Sequence, residues 1–191
     1  MSTVSPTSDQ FSDQQRVMIL SDQGDVPMRV FKITSIQDSI LLRTSSHDVI
    51  VDSTDQVLAR LIDRMYATVR DSISMGVGIA APQVGILKRI IWVQRLDQEN
   101  LPFEVYLNPV ITFYSERKQD CREGCLSIPN RVDTTRTRSY EIQIAYDKLD
   151  HQHYEERIEG FTAVIFQHEI DHLNGILYLD HLEKEVQQSS K

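Results

Sequence analysis

Apolar and polar positions change period several times along the chain, and each change predicts an element. From 53 to 76, "STDQVLARLIDRMYATVRDSISMG", the residues Val57, Leu58, Leu61, Ile62, Met65, Tyr66 and Val69 recur at helical spacing. Ser53 and Gln56 fit a capping box at the start of this helix, and Gly76 is placed to end it. The stretches 88–95, "KRIIWVQR", and 103–116, "FEVYLNPVITFYSE", are rich in β-branched and aromatic residues and read as strands. In 140–147, Ile142 and Ile144 lie on one side, with Glu141, Gln143 and Ala145 on the other. "KLDHQ" then reads as a turn, and 153–160 as the returning arm of a hairpin. After Gly160 the period becomes helical: Phe161, Ile165, His168 and His172 form one stripe, and Gly175 is a natural C-cap. The expected class is α+β, with short mixed or antiparallel strands packed around a central C-terminal helix and one N-terminal helix. No internal repeat or linker interrupts the pattern.

Composition narrows the field. A length of 191 residues, 40% of them hydrophobic, fits one ordinary domain with a real core. The net charge of −8 argues against nonspecific nucleic-acid binding, which depends on clustered Lys and Arg. No apolar run approaches the ~20 residues that span a bilayer. The opening stretch, "MSTVSPTSDQFSDQQR", is polar and carries Asp9 and Asp13 against a lone Arg16, unlike a signal or transit peptide. We expect residues 1–27 to be a flexible extension, residues 28–191 to form a single ordered domain, and the protein to be cytoplasmic. The two cysteines, Cys121 and Cys125, are too few for a disulfide framework. In a reducing compartment a thiol is of more interest as a ligand or nucleophile.

Chemistry enters with "FQHEIDHLNG", 166–175. On a helix, positions i and i+4 share a face about 6 Å apart, so His168 and His172 can converge on one ion. Glu169, about 100° further round, can touch a water at that ion without displacing it. The plain alternative is a pair of half-buried helix histidines. A catalytic site of this kind takes three protein ligands and keeps one position open. His47, His151, His153, His181, Glu183 and Glu185 have no distinctive setting, whereas Cys125 stands in the turn-like "REGCLSIP", 122–129. Cys125 can be a soft ligand, a nucleophile paired with a histidine, or a buried structural cysteine. Cys121 lies between exposed-looking Asp120 and Arg122 and reads as structural. "GVGIAAPQVG", 76–85, allows close approach of backbone to a ligand or another strand, and equally a tight turn. Gln83 is the polar residue of this patch, an oxyanion donor or merely a strand cap.

Taken together, "GVGIAAPQ" (76–83), "EGCLS" (123–127) and "QHEIDHLNG" (167–175) resemble, in order and spacing, the three motifs of the peptide deformylases. The resemblance runs from about residue 28 to 182, with Ile79 where Leu is more frequent. It implies a metal-dependent hydrolase that removes the N-formyl group from the formylmethionine of nascent polypeptides and releases formate. It further implies one divalent ion held by Cys125, His168 and His172, natively ferrous iron, with zinc, nickel or cobalt also suited. By the same resemblance Glu169 is the general base and acid, and Gln83 and the Leu126 N–H stabilise the oxyanion. Gly78 and Gly124 lie against the peptide, and Val77, Phe161, Val164 and Ile165 line a slot for the methionine side chain. Glu123, Arg131 and Asp171 are candidate partners for the ligand histidines. The implied partners are formylmethionyl chains and, transiently, the ribosome, without direct nucleic-acid or membrane binding. Two readings compete. A metallopeptidase would take its third ligand from a downstream His or Glu, and a non-catalytic relative would bind ribosomes or nascent chains.

Overall fold

The computed structural model describes residues 10–71 and 75–189. Among these residues, five helices, α1 (Asp13–Leu20), α2 (Ile36–Leu42), α3 (Gln56–Arg70), α4 (Gly160–Leu173) and α5 (Tyr178–Ser189), accompany seven strands. The strands are β1 (Gly78–Ala80), β2 (Ile90–Gln94), β3 (Phe103–Tyr114), β4 (Lys118–Cys125), β5 (Ile128–Ser139), β6 (Glu141–Asp147) and β7 (His153–Glu159). A 3-10 turn at Ala81–Val84 follows β1. One antiparallel sheet has the order β1-β2-β3-β6-β7, and β4 pairs with β5 in a separate hairpin. This is the α+β arrangement expected from the periodicity.

The larger sheet is covered on both faces at its β1–β2 end, and strand alternation shows how. Ile79 and Ile90 belong to the core formed with Leu58, Leu61, Met65 and Val69 of α3. Their neighbours Ala80, Ile91 and Val93 belong to the core formed with Ile165, Phe166 and Ile170 of α4. Each fully enclosed aliphatic side chain of α3 contributes about 1.5–3 kcal/mol. Helix α4 is enclosed nearly all round: ten of its residues, including Gln167, Glu169 and His172, are buried. Its polar side chains are therefore held where water is scarce. The chain enters it through Gly160 at φ 63°, a left-handed conformation that glycine adopts without a Cβ penalty.

Several expectations change. The cap of α3 is Asp55, whose carboxylate accepts from the amides of Val57 and Leu58 at 2.8 and 3.2 Å. Ser53 sits in the preceding turn instead. An aspartate directly before the first helical residue reaches the free amides, and a residue two positions earlier does not. Helix α3 ends at Arg70, before Gly76, and residues 72–74 of the expected helix lie outside the described residues.

Residues 10–27, read as part of a flexible extension, carry α1 with a complete Ser12–Gln15 capping box. Phe11 and Ile19 are fully enclosed in the α3 core. Buried Arg64 of α3 donates to the carbonyls of Met18, Ile19 and Val26, which anchors this segment. Among the described residues, no helix is long and apolar enough to cross a membrane.

Candidate metal centre

Two elements bring the candidate ligands together. In the β4–β5 hairpin Cys125 pairs with Ile128, so Leu126 and Ser127 form a two-residue turn. The ring centroids of His168 and His172, one turn apart on α4, are separated by 5.1 Å. One ligand atom from each of Cys125, His168 and His172 lies within 4.8 Å of the others, and Cys125 Sγ is 3.1 Å from His172 Nε2. Cys121 is buried away from this group, and its thiol is pushed up to about 11 by burial, so it remains protonated. Burial would also raise Cys125, but His172 and His168 outweigh it and hold this thiol well below its ordinary range. A thiolate is the form that binds a metal. The site thus fits an ion: one sulfur and two imidazoles converge, and among the described residues no further His, Cys, Asp or Glu joins the set.

Behind the ligands stands a chain of charges. His168 Nδ1 lies 2.8 Å from Glu123 Oε2, which leaves its Nε2 for an ion. Glu123 accepts from Arg138 through both oxygens, at 2.8 Å each, and from the Thr135 hydroxyl. Burial alone would raise the Glu123 carboxyl; His168 and Arg138 reverse this and hold it far below the carboxylate range. Arg138, itself enclosed, also donates to Asp171, which is 2.8 Å from His181 Nε2. Of the three candidate partners for the ligand rings, only Glu123 meets one of them; Asp171 faces Arg138 and His181 instead, and Arg131 meets neither ring. Arg131 pairs with Asp133 at 2.7 Å at the cleft rim, and a guanidinium has no acceptor to offer the N–H of a ligand imidazole. His172 Nδ1 is enclosed without a hydrogen-bond partner among the described residues, so the two ligand rings are not equally fixed. Gln167 ties α4 to the end of β5, accepting from Ser139 N–H and donating to Ser139 C=O, each at 2.9 Å.

Glu169 is 4% exposed, and its Oε2 has no partner among the described residues. Burial pushes its carboxyl up to about 7, against the pull of the two histidines. Near neutrality such a group both takes and gives a proton. Its place depends on Gly78: a Cβ there would stand 2.5 Å from Glu169 Oε1 and 2.9 Å from Ile165 Cγ2. Gly78 is therefore required by the packing of Glu169, whatever else passes over it. Gln83 is almost completely enclosed. Its Oε1 accepts from Ala80 N–H at 2.9 Å, and its Nε2 stands 3.3 Å from Ser127 Oγ and 3.5 Å from Cys125 Sγ. The cap and the donor aimed at the site are thus one side chain. A cleft of about 880 Å³ opens over this group, and Val77, Gly78, Gly124, Leu126, Phe161, Val164 and Ile165 all line it. Val164 and Ile165 are buried at its floor, and Phe161 is half exposed at its mouth.

Arg138, Ser127 and His181 were not singled out by sequence. A buried glutamate two residues before a ligand calls for a cation, but 131–138 offers three arginines with nothing to choose between them. Of the downstream residues a peptidase would use, His181 is held by Asp171 and Glu185 by the Arg136 amide.

A buried helix carrying His-Glu-x-x-His, closed by a cysteine from a neighbouring hairpin and opening on a cleft, defines a metal-dependent hydrolase. Comparison with known proteins narrows this class. The polypeptide deformylase family profile matches residues 30–188. The peptide deformylase of Zymomonas mobilis is 37% identical over 163 residues, spanning 82% of this chain and 88% of that protein. The Met-Ala-Ser-bound class I type b enzyme of Acinetobacter baumannii superposes with a TM-score of 0.73 at 34% identity, covering 82% of this chain and 99% of that one. The Thermotoga maritima enzyme gives 0.70 at 32% identity, covering 81% and 97%. The chain belongs to the polypeptide deformylase family, enzymes that remove the N-formyl group from newly made polypeptides.

Proposed function

We infer that Cys125, His168 and His172 hold one divalent ion and that the cleft above them receives the formylmethionyl end of a nascent chain. The observation that carries this is the convergence of the three ligand atoms beside the buried carboxyl of Glu169. The donor set suits ferrous iron, zinc, nickel and cobalt rather than magnesium or calcium, and ferrous iron is our assignment on the family resemblance. When bound, the ion supplies Lewis acidity and makes water ionisable near neutral pH.

The chain's own groups account for the rest. Glu169 takes a proton from the attacking water and returns it to the departing nitrogen, so that the C–N bond breaks to formate and a free amine. Gln83 Nε2 and the Leu126 N–H meet the negative charge that develops on the formyl oxygen. Val77, Phe161, Val164 and Ile165 enclose the methionine side chain, and the backbone at Gly78 and Gly124 flanks the peptide. We place the enzyme in the cytoplasm, transiently beside the ribosome, because its substrate is made there. Both cysteines are free thiols, as this site requires.

The test is anaerobic purification, elemental analysis and measurement of formate released from formyl-Met-Ala-Ser with each divalent ion in turn. We expect one ion per chain, strong turnover with ferrous iron, and loss of both ion and turnover in Cys125→Ala. A Cys125→Ala protein that binds one ion with unchanged affinity would refute the ligand assignment.

A further inference from the structure

The cleft has two walls, and its outer end carries a charge that the chemistry above leaves unused. One wall is Gly76–Gly78, and the other is the outward face of the β4–β5 hairpin. Side chains alternate across a strand. Cys121 and Glu123 of β4 are buried, whereas Arg122 and Gly124 are exposed. Gly124 pairs with Val132 and Arg122 with Thr134, so Arg122, Gly124 and Val132 share one face, and all three line the cleft. Gly124 leaves a bare strip of backbone, and Arg122 stands at its far end.

The other charged side chains of the cleft are either paired or enclosed. Glu123 is held by Arg138 and His168, Arg131 by Asp133, and Glu169 is buried at the base of the cleft. Among the described residues, the Arg122 guanidinium has no hydrogen-bond or ion-pair partner. A strand rises ~3.3 Å per residue, so Arg122 lies ~10 Å along β4 from Cys125. An extended substrate advances ~3.3–3.6 Å per residue. With the formyl carbon at the ligands, its third residue comes level with Arg122.

We propose that Arg122 is a specificity-determining residue, selecting substrates with an acidic side chain at the third position after the peptide has laid its backbone over Gly124. The proposal rests on the deformylase reading of the cleft. An exposed ion pair is modest in strength, so the expected preference is roughly 3- to 10-fold in kcat/KM for Asp over Lys. It should fall mainly on KM, because the contact is remote from the reacting bond. It should also shrink as added salt screens the pair.

The test compares formyl-Met-Ala-Asp-amide with formyl-Met-Ala-Lys-amide, capped so that no terminal carboxylate competes, on the iron-loaded wild type and on Arg122→Glu. Each ratio is taken within one protein, so the active fraction cancels. Acidic preference in the wild type and its reversal in Arg122→Glu support the proposal. A wild-type ratio near one, or a ratio that the substitution leaves unchanged, overturns it. Absence of formate from every peptide would overturn the deformylase reading instead. Titration of the unformylated Met-Ala-Asp-amide and Met-Ala-Lys-amide into both proteins would then decide Arg122 separately, equal affinities overturning the proposal.

Discussion

Gln83 does two jobs with one amide. Its oxygen caps Ala80 N–H, which fixes the side chain, and its nitrogen is left pointing at the ligand cysteine. A donor fixed before the substrate arrives need not reorganise as charge develops on the formyl oxygen. Gln83→Ala should therefore lower kcat by ~10²–10³ while the ion content, read by elemental analysis, stays near one per chain. Near-normal turnover would leave Gln83 a structural cap only. At this scale the sequence was informative wherever chemistry limits the choice of residue, as at Cys125, His168, Glu169 and His172. It was silent on residues that act through another, such as Ser127 beneath the Gln83 amide.

Among the elements, β4, β5 and α4 are joined by the buried Arg138. It reaches Glu123 on the strand that carries the ligand cysteine and Asp171 on the helix that carries the ligand histidines. Arg138→Met would leave buried Glu123 and half-buried Asp171 without their shared cation, a loss of about 3–5 kcal/mol by urea denaturation. A change under about 1 kcal/mol would mean that water or another cation takes its place.

The same buried polarity explains why this hairpin shows no hydropathy period in the sequence. The inward face of β4 and β5 carries Cys121, Glu123, Thr135 and Arg138, so alternation of burial is not alternation of hydropathy. Helix α4 and the β6–β7 hairpin, whose enclosed positions are mostly aliphatic, were readable. On α2, Asp38 is held below the usual carboxylate range by the bidentate Arg29 pair, against the effect of burial, with the Lys32 amide adding to it. A carboxyl with a lowered folded-state pKa stabilises above its unfolded value and loses that contribution as pH falls through the folded one. The stability gap between wild type and Asp38→Asn should thus be widest at neutral pH and narrow below about pH 4. Urea midpoints at both ends check this; a constant gap would remove Asp38 from the acid response.

For the molecule as a whole, the described residues 10–27 pack against the α3 core. Phe11 and Ile19 sit within it, although the apolar run 17–20 has no helical stripe and its surroundings are polar. Only tertiary contact identifies such residues, which is why local pattern assigned them to solvent. Phe11→Ala should cost about 3–5 kcal/mol in denaturant unfolding, as for an aromatic deleted from a packed interior. An unchanged midpoint would return residues 10–20 to the role of an appendage.

The contact between Gly78 and Glu169 also bears on how such an enzyme resists a drug. An inhibitor resting on the backbone at position 78 touches a spot where any added side chain would collide with the Glu169 carboxyl, the general base of the proposed mechanism. Escape by enlarging that residue would disable the enzyme along with the compound, so resistance selected against such a molecule should map to the rim, at positions like Phe161 or Val132, and spare the glycine.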